Sequence, residues 1–412
     1  MNRREFLKAT VVMTGGIATT CVFNLSGCST GDSPSSDNEP LSVGEVLLGL
    51  YPTSGIVSPE DTVRRGLARF DFGWLGSGDT VFVKLSCNSG HIHPAVTSPA
   101  AVAGMCAELF ARGAGRVIVG DQAGVESVRL ADGETRFGST QKLMESNGLY
   151  EAITAAGAEP HFFDDQGYDA GYFEATPPHR SHWQQPMMLP RIIEQVDHIV
   201  YLPRLSSHAL AGYTHGLKSA VGWLRDDSRY HMHNDAASLH EKYAEISYSV
   251  EIASRLRLVY TFAEYIMLHQ GPDTGTVAVA DPLIVIASDN IANHDIFSAA
   301  LLHHFDTITP AAGGVLPYED GSAANARNSF FVRTYVEKAT GIPWGQGDKN
   351  YTALRGHRYW EGLAADYGLS RAYELQGGIP ISISIRRDGA PLANELMGAL
   401  STAYNGIFDV HG

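Results

Sequence analysis

The sequence predicts an α/β fold, a two-lobed and mainly parallel sheet with flanking helices in a Rossmann-like three-layer arrangement. The first indication is a βαβ unit, with strands at residues 79–85 and 116–120 around a helix at residues 98–113. The second is the apolar run at residues 199–202, which is typical of an interior parallel strand and which Pro203 ends. The third is the length of 412 residues, which is enough for two α/β lobes.

The helix at residues 98–113 carries the clearest signals. Ser98 suits its N-cap and Pro99 its first turn, and apolar residues then recur at helical spacing. Prolines between residues 177 and 190 forbid long elements there. The same patterns predict further helices at residues 140–156, 192–196, 236–255, 292–305 and near 330–340, and strands at residues 256–264, 283–287 and 379–387.

Residues 1–27 are predicted to be a twin-arginine lipoprotein signal peptide. Arg3 and Arg4 precede an apolar stretch that is too weak for a stable membrane span. The segment Leu25-Ser26-Gly27-Cys28 is similar to a bacterial lipobox, which implies cleavage before Cys28 and lipid attachment to its sulfur. The alternative is an ordinary signal peptide that is cut nearby, with Cys28 incidental.

The rest of the chain is predicted to fall into three parts. Residues 28–42 form a flexible tether rich in Ser, Pro and Asp, residues 43–310 form the α/β domain, and residues 311–412 complete or cap the second lobe. The lipid chains would hold the protein to a membrane surface without spanning it, and the twin-arginine export machinery would be a partner. The expected location is the periplasm or the cell surface.

Charge and cysteine usage exclude several function classes. The formal charge is -15, and removal of residues 1–27 takes away three basic residues and one acidic residue, which gives -17. Such acidity argues against a nucleic-acid partner. Only Cys87 and Cys106 lie beyond the lipobox, and no CxxC spacing exists, which argues against an iron-sulfur module or a zinc ribbon. A disulfide between these two cysteines is possible outside the cytoplasm.

The stretch at residues 198–233 concentrates the reactive side chains. It follows the predicted strand at residues 199–202, and ligands of open α/β sheets bind at the carboxyl ends of strands. We therefore expect a site for a small anionic molecule here, although histidines in such numbers can also be ordinary core or surface residues. The candidates for acid/base catalysis and binding are His208, His215, Lys218, His231 and His233.

Metal and anion binding have separate candidates. His231 and His233 are two residues apart, so both rings share a face on a strand but not on a helix. Asp289 could add a carboxylate ligand to a divalent metal, or it could be a helix N-cap. Lys84 and Lys218, near strand ends, could clamp an anion or a phosphate of a cofactor, or Lys84 could simply pair with Asp121.

Several segments together resemble a known family. The order is Val81-Phe82-Val83-Lys84, Ser98-Pro99, Val117 to Asp121, His208 to Lys218, Gly271-Pro272 and Ser288-Asp289. This pattern resembles domain-of-unknown-function family 362 over about residues 79–304. Many members of that family carry ferredoxin-like cysteine clusters, which this sequence lacks.

A more distant resemblance is to nickel-pincer lactate racemases. The spacing of His208, of a Gly-aromatic-x-x-Gly-x-Lys segment ending at Lys218, and of His231 or His233 is similar to theirs. The resemblance implies that His208 is an acid/base, that Lys218 anchors a pyridinium-type cofactor and that His233 ligates a metal. The remaining cofactor-binding candidates in the segment are Gly212, Tyr213 and Gly216.

Three functions follow as hypotheses. The first is an exported, lipid-anchored enzyme, either isomerase- or racemase-like or an oxidoreductase, which acts on a small anionic organic substrate at a metal or cofactor. The second is a non-catalytic lipoprotein that binds a small ligand or a metal. The third is a redox accessory protein.

Overall fold

The computed structural model describes residues 22–24, 40–52, 58–208, 211–234, 238–269, 271–310, 368–376 and 382–389. The twin-arginine motif, the lipobox, most of the tether and the helix predicted near residues 330–340 lie outside these residues. The signal peptide and the two-lobe division therefore stay predictions. None of the helices in the described ranges is long and apolar enough to cross a bilayer.

Fifteen strands and ten α-helices occur in the described ranges. The strands are β1 Val22–Asn24, β2 Val46–Tyr51, β3 Thr80–Leu85, β4 Arg116–Asp121, β5 Arg129–Ala131, β6 Thr135–Phe137, β7 Glu159–Phe162, β8 Tyr172–Glu174, β9 Met188–Pro190, β10 His198–Leu202, β11 Ser206–His208, β12 Gly212–Thr214, β13 Leu256–Leu268, β14 Thr276–Ser288 and β15 Ser382–Gly389. The helices are α1 Pro59–Leu67, α2 Pro99–Ala111, α3 Thr140–Ser146, α4 Leu149–Ala155, α5 Gly216–Ser219, α6 Asp226–Asn234, α7 Leu239–Ser247, α8 Val250–Ala253, α9 Ile291–Ile308 and α10 Leu369–Leu375.

One large sheet organises these elements. Its strand order is β1-β15-β2-β14-β13-β10-β3-β4-β7, and the β11–β12 hairpin joins it beside β13. Most pairs are parallel, and β14 runs antiparallel to both of its neighbours. The predicted α/β fold with a mainly parallel sheet is confirmed.

The sheet has a hydrophobic core on each face. Successive residues of a strand point to opposite faces, so Val81 and Val83 enter one core while Phe82 enters the other. Helices α1 to α4 cover the first face, and α5 to α10 cover the second. The predicted flanking helices and three layers are therefore present.

Several predicted element boundaries were wrong for local reasons. The helix predicted at residues 140–156 is two helices, because Gly148 adopts a φ of 84° between α3 and α4. The helix predicted at residues 236–255 breaks between α7 and α8, and that at residues 192–196 is a 3₁₀ turn. Strands β13 and β14 are longer than predicted because they pair as a hairpin along their length.

Candidate functional site

A cleft opens at the carboxyl ends of β3, β4 and β10, with a cavity volume of about 160 Å³. Parallel strands bring these ends to one edge of the sheet, which is where ligands of open α/β sheets bind. Three of the predicted site residues line it together, namely His208, Lys218 and His233. The prediction that the stretch after residues 199–202 contributes to a cleft therefore agrees with the fold.

Asp121, which lines the cleft, belongs to a buried ion pair. The buried Lys84 ammonium lies 2.7 Å from Asp121 Oδ1 and donates hydrogen bonds to the carbonyls of Leu85 and Ser219. A Cβ at Gly222 would collide with both members of the pair, so glycine is required there. Lys84 therefore pairs with Asp121, the plainer of its two interpretations, and its donors are already engaged.

Arg229 is a second buried cation of the cleft. It lies on α6 and donates hydrogen bonds to the carbonyls of Gln122, Ala123, Gly222 and Leu224, at 2.6–3.1 Å. These four acceptors are neutral carbonyls. Its hydrogen bonds are satisfied, but its charge adds a positive potential to the cleft.

Arg204 is the third buried cation of the cleft. It follows β10 and is 1% exposed. Its Nη1 donates to the carbonyls of Pro94, Ala95 and Pro272. Burial lowers the pKa of its guanidinium to about 10, which leaves the group charged at neutral pH.

Lys218, on α5, lies within the field of these cations. Burial first, and then Arg229, Arg204 and Lys84, lower the pKa of its ammonium to about 7, and Asp121 only partly opposes them. Within the described ranges, we find no hydrogen bond or ion pair to this ammonium. A buried amine in a positive potential gains most from an anion, so this part of the cleft favours a negatively charged ligand.

His208 and His233 line the cleft, and their neutral rings carry the proton on different nitrogens. His208 Nδ1 accepts a hydrogen bond from the Ala211 N–H at 3.2 Å, which assigns the proton of the neutral ring to Nε2. His233 Nδ1 lies 2.7 Å from the Arg229 carbonyl, which can only accept, so Nδ1 donates and Nε2 holds the lone pair.

The two rings are neutral at pH 7. Burial and then the Lys218 charge lower the pKa of His233 to about 4, and the same causes hold the pKa of His208 well below its usual range. The cleft therefore combines an N–H donor, a basic nitrogen and a cationic anchor.

Four predicted site residues lie around α5 but do not line the cleft. His215 is fully buried with its ring 4.4 Å from that of Tyr213, and burial lowers its pKa to about 3. Gly212 supplies a positive φ of 87° at the hairpin between β11 and β12. Gly216 donates its N–H to Asp295 Oδ1 at 2.9 Å, which fixes the start of α5. These residues shape the backbone that carries Lys218.

The predicted metal ligands are not brought together. His231 and His233 lie on the helix α6, so the spacing that would align them on a strand separates their rings. The His231 ring lies 6.0 Å from that of Trp183, outside the cleft. Asp289 accepts the Gly44 N–H at 2.7 Å, and the N-cap of α9 is Asn290 instead. Across the described ranges, no group of three or more His, Cys, Asp and Glu side chains could hold a metal.

Sequence reasoning missed Arg204 and Arg229. Arg204 stands directly after an interior strand and Pro203, a position that could have marked it. Arg229 precedes His233 by four residues, which places both on one face of a helix. The Arg229 signal is visible only once the segment at residues 226–234 is known to be helical.

Comparison with known proteins gives one family and two distant structures. Residues 81–300 match the family described as Domain of unknown function (DUF362), which confirms the predicted family resemblance. No curated protein matches the chain. A lactate racemase apoprotein from Thermoanaerobacterium thermosaccharolyticum is similar at 10% identity and a TM-score of 0.42, over 95% of this chain and 91% of that one.

A protein from Thermotoga maritima, known from a crystal structure, is similar at 11% identity and a TM-score of 0.32. The match covers 50% of this chain and 51% of that one, so this chain spans about half the length of that protein. Likenesses this weak carry no inference about chemistry.

Proposed function

This chain belongs to the family described as Domain of unknown function (DUF362), and we propose that it is an enzyme that binds a small organic anion and moves a proton on it. The observation that carries the proposal is the pair of neutral imidazoles in opposite proton arrangements beside Lys218. The reaction class is proton abstraction next to a carboxylate or carbonyl group, as in an isomerase or racemase.

Lys218 supports anion binding. Its ammonium has no carboxylate in ion-pair distance within the described ranges, and three further cations lie near it. A charge-assisted hydrogen bond from a buried ammonium to an anion is about twice as strong as a neutral one. The bound anion would also raise the pKa of Lys218, because it favours the charged form.

The two histidines support proton transfer. In the proposed step the substrate C–H bond breaks and the proton moves to the lone pair of His233 Nε2. The electron pair moves to the neighbouring oxygen, which accepts a hydrogen bond from His208 Nε2–H. Return of this proton by His233 restores the original configuration, whereas inversion requires that His208 Nε2–H delivers a proton to the opposite face of the carbon.

A nickel-pincer-type nucleotide, which the sequence resemblance implies, fits the cleft at two points. The Lys218 amine, with a pKa of about 7, is partly unprotonated at neutral pH and is able to form a covalent anchor, and His233 Nε2 offers a lone pair to a metal. Such a group, when bound, supplies hydride-accepting chemistry. Lys84 would stay with Asp121 and contribute only charge.

The proposal is tested by solvent deuterium exchange. Full-length protein is incubated in D₂O with a panel of small carboxylic acids, and loss of the α-proton signal is followed by ¹H NMR. We expect exchange in at least one acid and its loss in His233→Gln, with His231→Gln as the matched control on another face of α6. Binding without exchange in every acid would leave the non-catalytic ligand-binding function instead.

The cofactor is tested separately, by elemental analysis and intact mass of protein purified without chelators. Stoichiometric nickel with added mass that disappears in Lys218→Ala would support the pincer-type group. A metal-free chain at its polypeptide mass would leave His208 and His233 to act without it.

Two further proposals concern the cell rather than the cleft. We propose export as a lipoprotein attached through Cys28, which mass analysis of the mature N-terminus would test. A redox accessory role is the weakest alternative, because Cys87 and Cys106 are free buried thiols whose pKa values burial raises to about 12.

A further inference from the structure

Three residues that line the cleft each have a polar side-chain atom that is buried with no partner in the part of the chain that the structure describes. Arg204 Nε, Ser86 Oγ and Thr214 Oγ1 make no hydrogen bond with any described residue. Their residues are 1%, 6% and 6% exposed. A buried donor or acceptor left unpaired destabilises the fold, so native proteins rarely leave three of them on one cavity wall. Ligand binding explains such a group directly.

Arg204 presents one edge of its guanidinium to the cleft. All the hydrogen bonds found for it within the described ranges run from Nη1 to backbone carbonyls, which locks the side chain in place. Asp273 lies near enough to favour the charged form but is not within ion-pair distance, and it accepts a hydrogen bond from Asn88 at 2.9 Å. The Nε and Nη2 edge thus remains for a bidentate partner.

The sheet brings the three residues together. Strands β3 and β10 are neighbours with Leu85 opposite Leu202, so Ser86 and Arg204 both emerge just beyond the same pair of strand ends. Thr214 reaches the cleft because β12 pairs with β11, which also continues from β10. Three different segments therefore supply one polar wall.

We infer that Arg204, Ser86 and Thr214 form a subsite for one carboxylate group of the ligand. A carboxylate has two oxygens with about four lone pairs. The Arg204 edge takes two of them, and the hydroxyls of Ser86 and Thr214 donate to the other two. One carboxylate thus satisfies all three unpaired groups. This inference rests on the proposed function in that it names the group by which the small organic anion is held.

With this subsite, different residues of the cleft serve carboxylate binding and proton transfer. Arg204 makes the hydrogen bonds to the carboxylate and Lys218 adds charge that favours the anion, whereas the two histidines remain for the neighbouring functional group, at which the chemistry occurs. Ser86 and Thr214 act by binding and take no part in proton transfer.

The test uses 1-¹³C-acetate as the probe with the full-length protein, and binding is followed by broadening of its carboxylate resonance. Arg204→Lys keeps the charge but loses the planar edge, and Ser86→Ala/Thr214→Val removes both hydroxyls while leaving the Arg204 bonds to the backbone. We expect acetate affinity to fall by about tenfold or more in each variant. His231→Gln is the control, because this ring lies beside Trp183 and not in the cleft, and it should keep acetate affinity within about twofold.

Each outcome bears on one of the two claims. Wild-type protein that does not broaden the acetate resonance overturns the subsite, as does unchanged affinity in the folded double variant. Inorganic phosphate that competes with acetate at equal or lower concentration would also overturn it, in favour of a phosphate site. Acetate binding that depends on Arg204, without deuterium exchange in any acid, would sink the proposed proton transfer and leave the subsite intact.

Discussion

Two regions of this protein bury charged side chains, and they treat them differently. Around Glu245, which is fully buried, every charge is matched: its carboxylate accepts from Ser181 Oγ, from the backbone and ring of His182 and from Arg371 Nε. Arg371 also donates to Glu374 and to two carbonyls. In the cleft, Arg204 and Lys218 lack such a carboxylate among the described residues.

The difference indicates which buried charges build the fold and which await a ligand. The Glu245 cluster ties α10 to α7 and to the loop at residues 179–182, and within the described ranges no buried side-chain atom of Glu245 or Arg371 is unpaired. The cleft holds unpaired polar atoms at Ser86, Arg204 and Thr214 and an ammonium with a lowered pKa. Both regions bury charged residues, and hydrogen-bond satisfaction separates the two.

Acid is expected to have the largest effect, because it acts on neutral buried histidines inside and outside the cleft. The pKa values of His93, His161 and His233 are lowered to about 4 and that of His215 to about 3, against about 6.5 in an unfolded chain. The unfolded chain therefore binds more protons between these values, and the free energy of unfolding falls as pH drops from about 6.5 to about 4.

Each pKa unit corresponds to about 1.4 kcal/mol. Urea unfolding followed by tryptophan fluorescence across this pH range measures the slope. His161→Phe, which lies between Phe82 and Phe163, should make the slope shallower. A free energy of unfolding that does not change between pH 6.5 and 4 would contradict the neutral, buried state of these rings.

Glu245→Gln tests the Glu245 cluster. It leaves Arg371 without its buried carboxylate and should reduce the free energy of unfolding by about 3–5 kcal/mol. Glu374→Gln is the matched control, because this carboxylate also pairs with Arg371 but its side chain is 59% exposed, and it should cost less than about 1 kcal/mol. Acetate affinity of the folded protein should be unchanged in both variants. Loss of acetate affinity in either one would contradict the separation of the Glu245 cluster from the cleft.

Lys218→Met tests the cleft. Its effects should be the opposite of those of Glu245→Gln, with stability kept and anion affinity reduced. It removes a desolvated amine, so thermal unfolding should occur at the same or a higher temperature, while anion affinity at pH 6 falls by about tenfold or more. In the wild type that affinity should decline as pH rises through about 7, because the Lys218 ammonium loses its proton there. A wild-type affinity that is flat between pH 6 and 8 would exclude this role.

The smallest effect is expected at Cys87. This residue lines the cleft, but we expect its thiol to be as unavailable to reagents as the groups of the Glu245 cluster. Burial raises the pKa of its thiol to about 12, so little thiolate exists at neutral pH. Iodoacetamide at pH 7.5 should leave the tryptic peptide that contains Cys87 unmodified over an hour in native protein, whereas the same peptide of urea-unfolded protein should be alkylated. Rapid labelling of Cys87 in the native state would revive the redox hypothesis.

Local patterns were sufficient for much of the architecture. Ser98 and Pro99 start α2 as predicted, and the strands on either side of it emerge close to their predicted bounds. The cleft lies where carboxyl ends of parallel strands predict it, with His208, Lys218 and His233 on its wall. The residue types and their nearness in sequence to a buried strand carried that prediction.

The sequence by itself thus determined the fold class, the family and the segment that carries the reactive side chains, because hydrophobic period and turn residues act locally. Only the tertiary structure decided between His231 and His233, since the helix α6 turns one ring to Trp183 and the other to the cleft. It also decided which cations are already satisfied. Pairing depends on residues as far apart as Lys84 and Asp121 or Glu245 and Arg371, and no local pattern encodes those distances.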